Sequence, residues 1–356
     1  MINQFFATFI PGLQNLIADI VKERLSDVRI LKLLDGAALF ETEISYDKLN
    51  FFCFNNIFAA INVLDCPDKP HTEQQGCGEI YLEKHIKMAI KGNSEFNTDI
   101  IANNSKTIKS FRIVISNENV PAAIDENLRT EAENAISGIS GLSVNRSSPD
   151  TEFWFLYRSE ENPAQRNFSI FMKRLTLRAS WDKTLHKGEL PPPLAWTLCR
   201  MASLSNSDTV LDPFCGYGSI PEAAMRHFHI TDFVACDNDR QAVSFAAERF
   251  KNRKISSFNI HNSDFTKLPW LISEKSVDAI VTDPPWGKFR EISDASFHKK
   301  MFDVFSRMLK NGGRAAVLYA NDGNFIKASE EKFLLRESIP ILLSGRKAVI
   351  YAFVKR

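Results

Sequence analysis

The stretch AIVTDPPWGKF, over 279–289, passes from an apolar run into an acid, two prolines, an aromatic and a glycine. Pro284 and Pro285 fix their own φ angles and lack backbone donors. Pro284 also confines Asp283 to extended geometry. The corner is stiff and presents a carboxylate, free carbonyls and the Trp286 indole together, which suits either a clamp for a flat polar ligand or a turn at a sheet edge. Upstream, in LDPFCGYGS, an apolar strand over 209–211 runs into Asp212, Pro213 and Phe214, then Gly216 and Gly218. Glycines after a first strand let a ligand approach the backbone, and the following helix start offers free N–H groups. A lone G-x-G is most often an ordinary strand–helix turn. Here, roughly twenty residues further on, the strand FVAC ends in Asp237 and Asn238, where a ribose diol is gripped in open α/β folds. The next strand, in NIHNSDF, ends in Asp264 and Phe265. Random surface acids would not fall in phase with three successive strand ends.

The ligand follows from what is present and what is missing. The dinucleotide fingerprint G-x-G-x-x-G is broken, because Ser219, Ile220 and Pro221 follow Gly218. A pyrophosphate is therefore disfavoured, and acid-rich strand ends suit an adenosine that carries positive charge instead of phosphate. S-adenosylmethionine fits, since its sulfonium is cationic and its ammonium can pair with Asp212.

These motifs need a parallel sheet to bring them to one edge. After Ser180 the chain alternates strand and helix through TVLDPFCGYGSIPEAAM, FVACDNDRQAVSFAAERF, NIHNSDFTKLP, VDAIVTDPPWG and MFDVFSRMLKNGGRAAVLYA, the last with a Gly-Gly turn. Alternation of this kind predicts a doubly wound parallel sheet of Rossmann-like type. The closing LRESIPILLSGRKAVIYAFVKR reads as two strands joined at Ser344-Gly345, an antiparallel C-terminal edge. The first half is α+β: a strand at FFATFI, a turn at Pro11-Gly12, a helix in GLQNLIADIVKERL, strands over 28–33 and 38–43, and a helix-to-strand stretch in LNFFCFNNIFAAINVLD. A polar segment over 66–79 reads as a linker, followed by a helix over about 80–91 and strands at KSFRIVIS, TEFWFLYRS and NFSIFMKRLTLRAS, with a helix in AAIDENLRTEAENAIS.

Composition excludes several classes. The chain has 356 residues, 44% hydrophobic and 24% charged, with net charge +1, so bulk electrostatics does not announce a nucleic-acid binder and any basic signal must be local. No apolar stretch has transmembrane length, and MINQFFATFIPGLQNL lacks the basic n-region and cleavage site of a signal peptide. The six cysteines are scattered, with no C-x-x-C pair, which points to a reduced cytoplasmic protein without structural zinc. The seven histidines show no ligand spacing, so no metal is expected. The stretch over 168–187 sets Lys173, Arg174, Arg178, Lys183 and Lys187 against Asp182, a run that suits RNA phosphates or a solvated face. Lys288 and Phe289 stand where they would shape a base pocket or a surface loop.

In their order, DPFCGYGS, CDND, NSDF and DPPWG resemble the class I methyltransferases that modify exocyclic amino groups of nucleic acid. LHKGELPPPLAWTLCRMA resembles the helix entry of the guanine-N2 RNA branch. FFATFIPGLQNLIADIVKERL, GAALFE and LNFFCFNNIFAAINVL resemble the ferredoxin-like start of THUMP-type RNA methyltransferases, and KSFRIVIS, IDENLRTEAENAI and SPDTEFWFLYRS resemble the THUMP module itself. Trp286 departs from the RNA branch, which often has Tyr or Phe there; ring stacking is retained.

The resemblance implies three parts: a ferredoxin-like domain over 1–66, a THUMP-like RNA-binding domain over 67–179, and a methyltransferase domain over 180–356. It implies S-adenosylmethionine-dependent methylation of guanine N2 in RNA, most naturally tRNA, by a monomer. Ribosomal RNA as substrate and adenine N6 as target are alternatives within the class; a non-catalytic RNA-binding protein is the alternative outside it. Asp283 and the Pro284 carbonyl would hold the exocyclic amine, with Pro285 stiffening the loop and Trp286 stacking on a flipped base. Asp237 would bind the ribose hydroxyls and Asp264 the adenine amine.

Overall fold

The structure is a computed structural model and describes residues 2–49, 51–66, 77–92, 95–118, 120–159, 167–175, 185–253, 255, 258–286, 295–320, 322–343 and 345–356. The chain divides into two compact units. The first comprises Met1–Thr8, Gln14–Asn50 and Asn55–Arg178; the second comprises Phe9–Leu13, Phe51–Phe54 and Ala179–Arg356.

In the first unit the chain runs β1 (Asn3–Thr8), α1 (Gln14–Arg24), β2 (Arg29–Leu34), β3 (Ala37–Thr42), β4 (Asn56–Asp65), α2 (Cys77–Ile90), α3 (Thr98–Ala102), β5 (Ser110–Asn117), β6 (Val120–Pro121), α4 (Glu126–Ser140), β7 (Ser143–Val144), β8 (Thr151–Arg158) and β9 (Phe168–Arg174). One sheet takes the order β2-β3-β1-β4-β9-β8-β5-β6, with β7 paired to β5. The junction is the antiparallel pairing of β4 with β9, from Phe58↔Arg174 to Asp65↔Phe168. The pairing joins the segment before residue 66 to the segment that follows it, with a shift of register between Ala60 and Asn62. Alternation along β8 explains the layering. Phe153 and Phe155 are fully buried and join Phe111, Phe171, Leu82 and Ile86 of α2, and Leu128 and Ile136 of α4. Burying a phenylalanine of this kind contributes about 1.5–3 kcal/mol. Helix α4 begins where Asp125 accepts from the backbone N–H groups of Asn127 and Leu128, and ends at Gly141 with φ 69°.

The helix expected before β4 does not form. Residues 51–55 hold a turn at 52–53 and a bend at Asn55, with no helix. Phe51 and Phe54 are buried with ring centroids 5.3 Å apart, and Phe54 lies 6.5 Å from Phe9. Aromatic packing within the second unit overrides local helix preference. The Pro11-Gly12 turn joins the same unit: the amide of Leu342 donates to the Pro11 carbonyl at 3.1 Å. Gly12 has φ 98°, and a Cβ there would stand 2.0 Å from the Pro340 oxygen.

The remaining elements belong to the second unit: α5 (Pro192–Met201), β10 (Thr209–Asp212), α6 (Ser219–His227), β11 (Asp232–Asp237), α7 (Arg240–Asn252), β12 (Phe258–Asn262), α8 (Leu268–Leu271), β13 (Val277–Thr282), α9 (Ala295–Met308), β14 (Leu309–Tyr319), α10 (Gly323–Ser329), β15 (Phe333–Leu343) and β16 (Arg346–Lys355). The sheet order is β12-β11-β10-β13-β14-β16-β15. Strands β10 to β14 pair in parallel, and β16 is antiparallel to both β14 and β15. The mixed sheet with an antiparallel C-terminal edge is the one the sequence predicts. One detail differs. Gly312-Gly313 lies inside β14, where pairing jumps from Val277↔Leu309 to Ala279↔Arg314. The pair loops out a bulge, with Gly312 at φ 69°, instead of separating helix from strand. No helix among the described residues is long and apolar enough to cross a membrane.

Candidate active site

Strand β10 has β11 on one side and β13 on the other, so strand order reverses there, and open α/β sheets bind ligands beyond the carboxyl ends of the strands at such a point. Asp212 ends β10, Asp237 ends β11, Asp264 follows β12 and Asp283 follows β13. The four acids sit at one edge of four adjacent strands, which is the phasing expected from the sequence.

Asp212 is 1% exposed. Its Oδ1 accepts from the Thr282 hydroxyl at 2.7 Å and from the Phe214 amide at 3.1 Å. Its Oδ2 is buried and has no hydrogen-bond partner among the described residues. Burial pushes its carboxyl up to about 8; the Thr282 and Phe214 hydrogen bonds oppose that rise, and the charges of Asp237 and Asp283 add to it. Thr282 was not singled out in the sequence, although it adjoins Asp283.

The loop of residues 213–218 is shaped by its glycines. Gly216 lies at φ 49° and Gly218 at φ 89°, and a Cβ on Gly218 would stand 2.7 Å from the Phe250 ring. The Gly216 amide donates to Asp237 Oδ2 at 2.8 Å, and the Asp239 amide donates to Asp237 Oδ1 at 2.9 Å. Asp237 thus couples the glycine loop to the start of α7, whose first turn is capped by Asp239. Asn238 is exposed beside it. Asp264 caps the 3-10 turn at Phe265–Lys267 through Oδ1, accepting from the amide of Thr266 at 2.9 Å and from its hydroxyl at 2.6 Å. Phe265 and Phe214 approach to 4.9 Å between ring centroids, so two motifs far apart in sequence share one aromatic wall, and Pro213 is buried.

At the end of β13, the Trp286 indole Nε1 donates to Asp283 Oδ1 at 2.7 Å. Burial pushes the Asp283 carboxyl up to about 7, and the indole N–H opposes part of the rise. Pro284 is buried, while Pro285 and Trp286 are half-buried. A carboxyl poised near neutral pH, held by a ring and two prolines, can accept hydrogen bonds from an amine and take up a proton.

Two residues of the basic run are placed otherwise than expected. Lys173 is 5% exposed, and its ammonium donates to the carbonyls of Ile100 at 3.0 Å and Asn103 at 2.7 Å. Arg174 pairs with buried Glu152 at 2.7 Å. Both lie on β9 inside a packed sheet, so neither offers its charge to a phosphate track. Lys187 is exposed. Arg178, Lys183, Lys288 and Phe289 lie outside the described residues. Among the described residues there is no cluster of three or more side chains suited to a metal ion.

Comparison with known proteins agrees with this geometry. Residues 180–339 match the model of UPF0020, the RMKL-like methyltransferase domain. The chain is 29% identical over 204 residues to the tRNA (guanine(10)-N2)-dimethyltransferase of Methanothermobacter thermautotrophicus, covering 56% of this chain and 59% of that protein. It is 24% identical over 335 residues to the U6 snRNA (guanine-N(2))-methyltransferase THUMPD2 of Bos taurus, covering 87% of this chain and 63% of that one. The chain thus spans about six-tenths of the length of these two relatives. The crystal structure of TrmN from Thermus thermophilus superposes with TM-score 0.78 at 20% identity, over 99% of this chain and 100% of that one, which establishes the fold.

Proposed function

We propose that this chain, whose residues 180–339 match the RMKL-like methyltransferase-domain model, transfers a methyl group from S-adenosylmethionine to the exocyclic N2 of a guanosine in RNA, with tRNA as substrate. The observation that carries the reading is the pairing of Asp283 with Trp286 one strand away from the acid-lined cradle. The base assignment is supported by two relatives whose names specify guanine N2.

The residues present fit the cofactor. Asp212 keeps one buried carboxylate oxygen without a hydrogen-bond partner, and burial holds its carboxyl up to about 8. A cationic ammonium is the partner that removes both costs. Asp237 is already oriented by two backbone N–H groups and retains lone pairs for a ribose diol. Asp264, Phe265 and Phe214 offer an acceptor and apolar faces to an adenine. When bound, S-adenosylmethionine supplies the methyl group and a sulfonium leaving group.

The chain's own residues then deal with a poor nucleophile. The lone pair of an exocyclic amine is delocalised into the ring. Hydrogen bonds from its N–H groups to Asp283 and the Pro284 carbonyl direct that lone pair, and the two prolines prepay the orientation. Asp283 takes up the proton that the methylated amine must release. Trp286 stacks on the flipped base, a contact worth about 1–3 kcal/mol. The first unit, in this reading a ferredoxin-like piece over 1–66 and a THUMP-like piece over 67–179, grips RNA backbone and shape while the site reads the base. The enzyme acts as a cytoplasmic monomer.

The test is incubation of total RNA with protein and labelled cofactor, followed by fractionation and nucleoside analysis. N2-methylguanosine in the tRNA fraction is the expected product. N6-methyladenosine would overturn the base assignment, and label confined to ribosomal RNA would overturn the substrate. Asp283→Asn should bind cofactor as the unaltered chain does and yield no methylated nucleoside; turnover near the unaltered rate removes Asp283 from the mechanism.

A further inference from the structure

We infer that Glu189 and Arg249 are positioning residues for the cofactor loop, forming a clamp that holds the loop of residues 216–218 in its binding shape; this rests on the cofactor reading above. Glu189 lies in the segment that leads into α5, and its side chain is only 2% exposed. Such a carboxylate is strongly destabilising unless it is paired and hydrogen-bonded. Its Oε1 accepts from the Ser219 hydroxyl at 2.9 Å and forms an ion pair with Arg249. Its Oε2 accepts from the His186 amide at 3.0 Å. Ser219 is the first residue of α6, directly after Gly218.

Arg249, from α7, completes the clamp. Its Nη1 also donates to the Tyr217 carbonyl at 3.3 Å, inside the glycine loop. Its Nε lies 2.8 Å from Glu222 of α6. Tyr217 also makes a ring contact: His186 stacks on it at 4.1 Å with planes 6° apart. The segment His186–Glu189 thus meets the loop and the residue after it through the His186–Tyr217 stack and the Ser219–Glu189 hydrogen bond, while Asp237 accepts from the Gly216 amide. Two residues in positive φ make this loop costly to order, so a fold that orders it in advance spares the ligand that cost. Nothing in the residue spacing marks Glu189 or Arg249, because the clamp joins three elements that are remote in sequence.

A purely structural ion-pair cluster would give a different pattern, and Arg253 provides the contrast. It pairs with Glu222 in the same cluster, is 44% exposed, and lines a cavity of about 580 Å³ between α6 and α7. It has no hydrogen bond to Tyr217 or Glu189 among the described residues. The experiment measures S-adenosylmethionine affinity by calorimetry, thermal midpoints without ligand, and KM against kcat, for the full chain and for Glu189→Gln, Arg249→Lys and Arg253→Ala. Glu189→Gln should weaken cofactor binding about tenfold and raise the cofactor KM in step. Its kcat at saturating cofactor should stay within about threefold. Arg249→Lys, which keeps a cation for Glu189 but not the fork, should fall between. Arg253→Ala should match the unaltered chain in affinity whatever its thermal midpoint. Unchanged affinity in Glu189→Gln overturns the clamp, as does an equal loss in Arg253→Ala. Failure of the unaltered chain to bind S-adenosylmethionine would instead overturn the cofactor reading itself.

Discussion

The indole N–H of Trp286 points at the carboxylate of Asp283, 2.7 Å away, across the two prolines that separate them. The aromatic residue of this corner is therefore tied to the acid as well as available for stacking. Its hydrogen bond stabilises the charged form of Asp283 against a burial that pushes the carboxyl up to about 7. The proposed base and the indole bonded to it sit in one four-residue stretch.

A pH consequence follows from that bond. Methyl transfer under single-turnover conditions should rise with pH through a limb governed by Asp283, because only the ionised carboxylate can take up the amine's proton. Trp286→Phe keeps a ring and removes the donor. Its limb should move to higher pH by about one unit, since hydrogen bonds to charged groups are worth about 1.5–3 kcal/mol. A limb that stays in place, or moves down, would remove the indole from the tuning of the acid.

Asp212 makes a second, separate prediction. With its carboxyl up at about 8, the group is largely protonated at pH 7. A cationic ligand placed against it should lower its pKa and expel a proton. Binding of S-adenosylmethionine at pH 7 should therefore release up to about one proton per site, read as a dependence of calorimetric enthalpy on buffer ionisation. Enthalpies identical in phosphate and Tris would exclude this pairing.

The same two groups set a stability trend. Asp212 and Asp283 titrate higher in the folded chain than in the unfolded one, so the folded state holds protons that the unfolded state has released. Their contribution is complete below the ordinary carboxylate range and is lost as pH rises through about 7 and 8. Denaturant midpoints measured without cofactor should fall across that window. In Asp212→Asn the decline should be shallower; an unchanged slope would show that Asp212 does not carry it.

Asp237→Ala should weaken S-adenosylmethionine binding by at least about tenfold, the loss of a charge-assisted hydrogen bond. Part of this loss is indirect, because Asp237 also anchors the Gly216 amide. Calorimetry that finds full affinity in a folded variant would falsify the ribose assignment.

The two loop glycines should not be equivalent. Gly218→Ala meets both a positive φ and the Phe250 ring at 2.7 Å, whereas Gly216→Ala meets a positive φ and open space. The left-handed conformation alone costs about 1–2 kcal/mol. Gly216→Ala should therefore lose about that much stability, and Gly218→Ala distinctly more, in paired urea titrations. Equal losses would mean that Phe250 yields without cost.

Much of the candidate site was written locally in the chain. A strand followed by an acid is a short-range pattern, and four acids in phase imply one edge because parallel strands share a direction. The prolines of the corner act on their own φ angles and those of their neighbours, so the stiffness around Asp283 needs no distant contact. The antiparallel closing strands were legible for the same reason: two apolar runs meet at Gly345.

Other features were decided only by long-range packing. Lys173 and Arg174 look like a basic run, yet the pairing of β9 between β4 and β8 buries them among Ile100, Asn103 and Glu152. The aromatic stretch before β4 reads as helix until Phe54 finds Phe9. The ladder between β4 and β9 joins segments that sequence texture separates. Charge, periodicity and turn residues report on a few neighbours along the chain, so they determine where strands end and which acids stand there. Which carboxylate is left buried with an unused oxygen, and which arginine reaches across three elements to hold a loop, depends on neighbours that only the folded chain supplies.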